Sequence, residues 1–197
     1  MSIRILGVSG SLREVSHSAQ ATRFVLEAAR GFGAQTRLLD LRAADLPMYR
    51  PDDEESAHPG LVEANEAVNW ADAFVLATPD YHGSMSGAMK NFLDYYWTEF
   101  AGKLFGYLCA SHEKGLTAMD QMRTAVRQCY GWSLPYGVSI HGERDFDAHG
   151  QVKNAAVERR LRMLARDLTV YGELIHAQFR RDLEAGATDT FAARYRK

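Results

Sequence analysis

The stretch VSGSLREVSHSA, residues 8 to 19, directly follows the apolar run Ile3-Arg4-Ile5-Leu6-Gly7. Within it Ser11, Ser16 and Ser18 supply hydroxyl donors and Arg13 a fixed positive charge. A helix begins near Ser16, so its first backbone amides face the same loop, and the helix dipole favours negative charge there. The chemistry open to this set is the holding of an anion. A plainer reading stands beside it, in which Ser16 is simply an N-cap. One serine suffices for a cap, and three with an arginine exceed that need. No GxxxxGK[ST] occurs, and no GxGxxG follows the first apolar run, which argues against a P-loop nucleotide and against a dinucleotide pyrophosphate. Gly31 and Gly33 lie at a helix end and read as a stop. A hydroxyl-rich loop suits a compact terminal phosphate, whose oxygens each accept hydrogen bonds.

A second stretch, ATPDYHGSMSGAMKNFLDY at residues 77 to 95, follows another apolar run. Pro79 ends that run, Asp80-Tyr81-His82-Gly83 forms a loop, and Ser86-Gly87-Ala88 leads into a helix. Gly83 lets backbone approach a flat ligand closely. Tyr81 can pack against a ring, and loop amides can bond its heteroatoms. The plain alternatives are packing alone for Tyr81, solvent exposure for His82, and helix caps or surface pairs for Lys90, Asn91 and Asp94.

Other chemistries lack their residues. There is no HExxH, no helically spaced histidine pair and no Cys/His cluster, so no metal site is expected. Gly83-Ser84-Met85-Ser86-Gly87 places Met where a hydrolase needs its serine. Cys109 and Cys129 form no CxxC and are read as reduced, mostly buried thiols. A net charge of -2 leaves no overall footprint for nucleic acid. No apolar run approaches membrane-spanning length, and the N-terminus lacks a signal-peptide pattern. The expectation is a cytoplasmic protein with no nucleic-acid or membrane partner.

The elements that must position these loops alternate along the chain. Strands are predicted at Ile3–Val8, Gln35–Asp40, Ala71–Thr78, Lys103–Ala110 and Pro135–His141. Helices are predicted at Ser16–Arg30, Gly60–Trp70, Gly87–Glu99, Leu116–Tyr130 and Val152–Phe179. Pro51 to Pro59 reads as an acidic loop. Strand–helix alternation implies parallel strands joined by crossovers, and near-continuous apolar strands are buried on both faces. The predicted fold is α/β: a flavodoxin-like, doubly wound, five-stranded parallel sheet in the order 2-1-3-4-5 with helices on both faces. The 197 residues make one domain, with a mobile or interface-forming tail after about Phe179. In such sheets ligands bind beyond the carboxyl ends of the strands, at the switch in strand order.

Two motifs together resemble the NAD(P)H-dependent FMN reductase family. Its first loop, roughly G-S-x-R-x-x-S-x-N, is matched by Gly10-Ser11-Leu12-Arg13-Glu14-Val15-Ser16-His17-Ser18. Its T-P-E-Y-N stretch is matched by Thr78-Pro79-Asp80-Tyr81-His82, and its G-x-x-K-N-x-x-D helix by Gly87 to Asp94. DLRAADLPMYRPDDE resembles the family's acidic loop, and the likeness runs from residue 3 to about residue 140. The resemblance implies that Ser11, Arg13, Ser16 and Ser18 hold the FMN phosphate. It implies that Pro79, Asp80, Tyr81, His82 and Gly83 line the isoalloxazine ring. Ser18 stands where Asn is common and keeps a donor, while Asp80 and His82 replace the commoner Glu and Asn. After the fourth strand, relatives carry a glycine-rich loop where this chain has Ser111-His112-Glu113-Lys114. Ser111 stays a flavin contact, and the pocket beside the ring becomes tighter or more polar.

The implied activity is transfer of hydride from NADPH or NADH to FMN and onward to a small-molecule acceptor. That acceptor is a free flavin, a quinone, an azo compound or a metal oxyanion. No side chain is assigned a catalytic acid–base role, because the cofactor carries the chemistry. The family also implies a homodimer or homotetramer, with Tyr49 and the final helix reaching a neighbour. The alternative is a flavodoxin-like electron carrier or flavin-binding regulatory module without nicotinamide turnover. A dedicated carrier is usually strongly acidic, and the net charge of -2 argues against it.

Overall fold

The computed structural model describes residues 2–52, 57–186 and 188–195. The tip of the acidic loop, residues 53–56, lies outside the described residues. The chain runs β1 (Arg4–Ser9), α1 (His17–Gly31), β2 (Gln35–Asp40), α2 (Leu41–Ala44), α3 (Pro59–Trp70), β3 (Ala73–Pro79) and α4 (Gly87–Asp94). It continues through β4 (Leu104–Ala110), α5 (Leu116–Gln128), β5 (Trp132–Ser133), β6 (Val138–Ile140), α6 (Gly142–Asp145), α7 (Ala155–Glu184) and α8 (Phe191–Tyr195). The strands pair in parallel in the order β2-β1-β3-β4-β5, with β6 also beside β4. This is the predicted flavodoxin-like order.

Side chains alternate across the sheet because successive Cβ atoms of a strand point to opposite faces. Leu6, Val8, Phe74, Leu76, Phe105 and Tyr107 pack on one face with α3, α4 and α5. Ile5, Val75, Ala77, Leu104 and Leu108 pack on the other with α1 and α7. β3 and β4 are buried along nearly their whole length, which is why they read as unbroken apolar runs. Among the described residues β2 pairs only with β1, and it shows the half-exposed alternation of an edge.

Two expected elements differ. The fifth strand is two short pieces, β5 against Leu104–Phe105 and β6 against Leu108–Ala110. Pro135, which has no N–H to give a ladder, lies between them. The helix expected to reach Glu99 ends at Asp94. There Tyr95 N and Tyr96 N bond carbonyls three residues back, and Trp97 N bonds the Glu99 carboxylate. Phe92, Tyr96 and Phe100 nevertheless pack together, so the helical spacing reports a real cluster without a continuous helix.

Ser86 joins the two loops that matter most. Its Oγ caps α4 by accepting from Met89 N (3.1 Å) and donates to Gly10 O at 2.6 Å. Gly10 sits so close to α4 that a Cβ there would lie 2.9 Å from Met89 Cβ. Ser86→Ala removes the cap and the buried bridge together. It is expected to lower unfolding free energy by about 1–3 kcal/mol. Urea denaturation checks this, and a change under about 0.5 kcal/mol would contradict the bridge.

Burial also decides the cysteines. Cys109 is fully buried, and desolvation, with a smaller contribution from Asp80, pushes its thiol up to about 12. Cys129 is only partly buried and donates from Sγ to Tyr96 O at 3.4 Å. At pH 8 a thiol-reactive disulfide reagent should titrate at most Cys129 in the native protein, with Cys109 appearing only in denaturant. Rapid modification of both thiols in the folded protein would show that Cys109 is accessible.

Beyond Phe179 the chain makes intramolecular contacts. Tyr195 stacks on Tyr130 at 4.1 Å, Phe191 meets Phe179 edge-on, and Ala192 is fully buried. Among the described residues no helix is long and apolar enough to cross a membrane.

Candidate functional site

Four segments at the carboxyl end of the sheet, after β1, β3, β4 and β6, enclose a cleft of about 390 Å³. The loop after β1 gives it Ser11, Arg13, Ser16 and Ser18. The loop after β3 gives Pro79, Asp80 and Tyr81, and the end of β4 gives Ser111. Eight of the ten residues expected at the site therefore line one cavity. The other two, His82 and Gly83, form the exposed tip of the β3 loop and do not line it.

The first loop is set by α1. Ser16 is extended and caps the helix, accepting from Ala19 N at 3.3 Å, so the plain reading of Ser16 is correct as far as it goes. Its Oγ also lies 2.9 Å from Ser18 Oγ. That bond uses one of the two hydroxyl protons, which leaves the other for a ligand. Ser11 Oγ accepts from Arg13 N at 3.3 Å and keeps its own proton. Arg13 is exposed and forms no ion pair among the described residues. The set thus offers free hydroxyl protons and a free cation beside helix amides.

The second loop is held by Asp80. Its Oδ1 accepts from Gly83 N (2.8 Å) and its Oδ2 from Ser111 Oγ (2.9 Å), while its backbone N donates to Ala110 O. Asp80 therefore works as a strut between loops. Tyr81 and Ser84 exchange both backbone bonds around His82 (φ 58°) and Gly83 (φ 76°). Positive φ at both central residues is the signature of a type I′ hairpin turn. A Cβ on Gly83 would meet nothing within 4 Å, so its glycine serves this turn. Tyr81 is 44% exposed on the rim, and no ring stacks on it among the described residues. Asn91, expected to be a cap or surface residue, is a buried clamp that accepts from Tyr49 N and donates to Pro47 O, each at 2.8 Å. Lys90 and Asp94 do form a surface pair.

Ser111 is more committed than expected. Its Oγ donates to Asp80 and accepts from Glu113 N, and its N donates to Ile140 O. The β3, β4 and β6 ends are thereby linked into one wall. That wall also carries His112, which sequence placed beside Ser111 without assigning it a role, and three residues that sequence reading passed over: His141, Gly142 and Glu143. The rule that ligands meet strand carboxyl ends could have found them, because His141-Gly142 directly follows the last strand.

Residues 3–145 match the model of a family described as NADPH-dependent FMN reductase. The chain belongs to this family. An NAD(P)H-dependent FMN reductase of Pseudomonas aeruginosa is 36% identical over 166 residues, covering 76% of this chain and 84% of that one. The NADPH-dependent FMN reductase ArsH of Rhizobium meliloti is 30% identical, covering 97% and 79%. In fold, the chain is similar to the flavoenzyme FerB, an NAD(P)H:(acceptor) oxidoreductase from Paracoccus denitrificans. That likeness has a TM-score of 0.73 and 20% identity, covering 87% of this chain and 98% of that one. As a member of the FMN reductase family, the chain is an oxidoreductase that uses FMN and a reduced nicotinamide.

The cleft fits that cofactor. The β1 loop offers hydroxyl protons, helix amides and an unpaired guanidinium, the donor set a phosphate monoester requires. Pro79 and Tyr81 give the opposite loop the flat, partly apolar face that a ring needs.

Proposed function

We propose that the chain is one FMN-binding domain that catalyses NAD(P)H-dependent reduction of a small-molecule acceptor at this cleft. Ser11, Arg13, Ser16 and Ser18 hold the FMN phosphate. Pro79, Asp80, Tyr81, His82 and Gly83, with Ser111, form the loop frame against the ring, where His82 and Gly83 shape the turn. FMN held here would supply the redox chemistry: hydride acceptance from NADPH or NADH and electron delivery to a flavin, quinone, azo compound or metal oxyanion. The side chains orient and enclose: Arg13 neutralises the phosphate, Asp80 fixes the spacing of two loops, and Tyr81 covers the rim. The observation that carries the reading is the meeting of the phosphate-type loop and the Asp80-braced loop in one cleft.

The protein acts in the cytoplasm as a homodimer or homotetramer. Exposed Met48, Tyr49 and Trp97 near Tyr95 support an interface there. No nucleic-acid or membrane partner is part of the reading. Steady-state NADPH oxidation by the FMN-loaded protein with a quinone, an azo dye and free FMN tests the function. Turnover of at least one of these is expected. FMN binding without turnover of any would favour an electron carrier instead.

A further inference from the structure

His141 lies on the wall of the cleft, yet its Nδ1 is sealed from solvent and has no hydrogen-bond partner among the described residues. A sealed N–H without an acceptor costs more than a sealed lone pair. Of the two neutral tautomers the one with the proton on Nε2, the nitrogen that is not sealed, leaves no N–H stranded. His141 thus offers the cleft a hydrogen-bond donor that nothing else among the described residues consumes.

Its position is fixed from three sides. The buried Asp145 carboxylate accepts from His141 backbone N at 2.7 Å and from Asn154 Nδ2 at 2.7 Å, tying this turn to the start of α7. His112 meets the His141 ring edge-on at 5.4 Å. The next residue, Gly142, abuts α1: a Cβ there would lie 3.0 Å from the ring of His17, the first residue of that helix. Ser16 and Ser18 flank His17 in sequence. The His141 turn therefore packs, through Gly142 and His17, beside the end of the cleft that carries the serines and Arg13.

We propose that His141 is a further phosphate-binding residue, donating Nε2–H to the anion held by Ser11, Arg13, Ser16 and Ser18. This rests on the reading that the FMN phosphate occupies that end. A ring N–H donor complements the Arg13 charge by adding a directed bond to the phosphate.

Binding constants for FMN and for riboflavin, which lacks the phosphate, test the assignment in wild type and three variants. Asp145 bonds the backbone of residue 141, so side-chain substitutions leave that tie in place. His141→Ala and His141→Asn should each weaken FMN about tenfold or more while moving riboflavin by less than about twofold. His141→Gln, whose amide can reach the place of Nε2, should stay within about threefold of wild type for FMN. A long-range nitrogen–proton NMR spectrum of the FMN-loaded protein should show His141 protonated on Nε2, its signals assigned by their loss in His141→Gln. Unchanged FMN affinity in the Ala variant overturns the proposal. So does equal weakening of both ligands, which would place the ring beside the flavin or acceptor instead, and so does a proton found on Nδ1. Wild-type protein that binds neither ligand overturns the functional reading along with it.

Discussion

Arg13→Ala should weaken FMN by about 10–100-fold and leave the far-UV circular dichroism spectrum unchanged. The magnitude follows from the roughly 1.5–3 kcal/mol that a hydrogen bond to a charged group contributes. The second half follows from the structure. Arg13 is exposed and makes no ion pair among the described residues, so its removal breaks no contact that holds the fold. Its backbone N–H to Ser11 Oγ survives substitution. Arg13→Lys should recover part of the affinity, because a point charge replaces the charge but not the planar fork. Added salt should narrow the gap between wild type and Ala. Flavin fluorescence titration reads all of these, and affinities equal within twofold would remove Arg13 from the phosphate site.

Asp145→Ala should lower unfolding free energy by about 2–4 kcal/mol. The carboxylate is 3% exposed and accepts from two donors on different segments, His141 N and Asn154 Nδ2. Asn154 is also the N-cap of α7, accepting from Ala156 N at 3.0 Å. Without the carboxylate both donors stay partly buried with no acceptor, and the cap loses the group that holds its side chain. Asp145→Asn keeps one acceptor oxygen and turns an amide N–H₂ toward the other donor, so it should fall between wild type and Ala. Equilibrium urea unfolding gives the values. The account also predicts weaker FMN binding in Asp145→Ala, because the His141 turn loses its anchor. A variant that unfolds at the same urea concentration as wild type would show that these two bonds do not stabilise the fold.

Much of this was legible because the physics is local or periodic. β3 and β4 read clearly since both of their faces are buried, and β2 read as an edge since it pairs on one side only. Alternation with helices then implied parallel strands, and about five strands in this length pointed to the 2-1-3-4-5 order. The cleft's first wall was legible because Ser11, Arg13, Ser16 and Ser18 fall within eight consecutive residues that lead into a helix start. What escaped depended on contacts between distant segments. β5 is two residues long, with Trp132 53% exposed, so no periodicity could mark it. Asn91 looks like a surface residue of a short helix until Pro47 and Tyr49 are brought to it across more than forty residues. Gly83 invited a ligand-approach argument, while φ of 76° in a hairpin explains it without one. The His141 wall belongs to the last strand, whose bounds were the least well drawn, and its links to Ser111 and His17 are wholly tertiary.

The most direct test of the central claim is a visible absorption spectrum. The purified protein is loaded with FMN, freed of excess, and then given NADPH under anaerobic conditions. The account predicts a retained flavin spectrum that bleaches on NADPH addition, with retention lost in Arg13→Ala. A colourless wild-type protein that also fails to oxidise NADPH with free FMN present would contradict it.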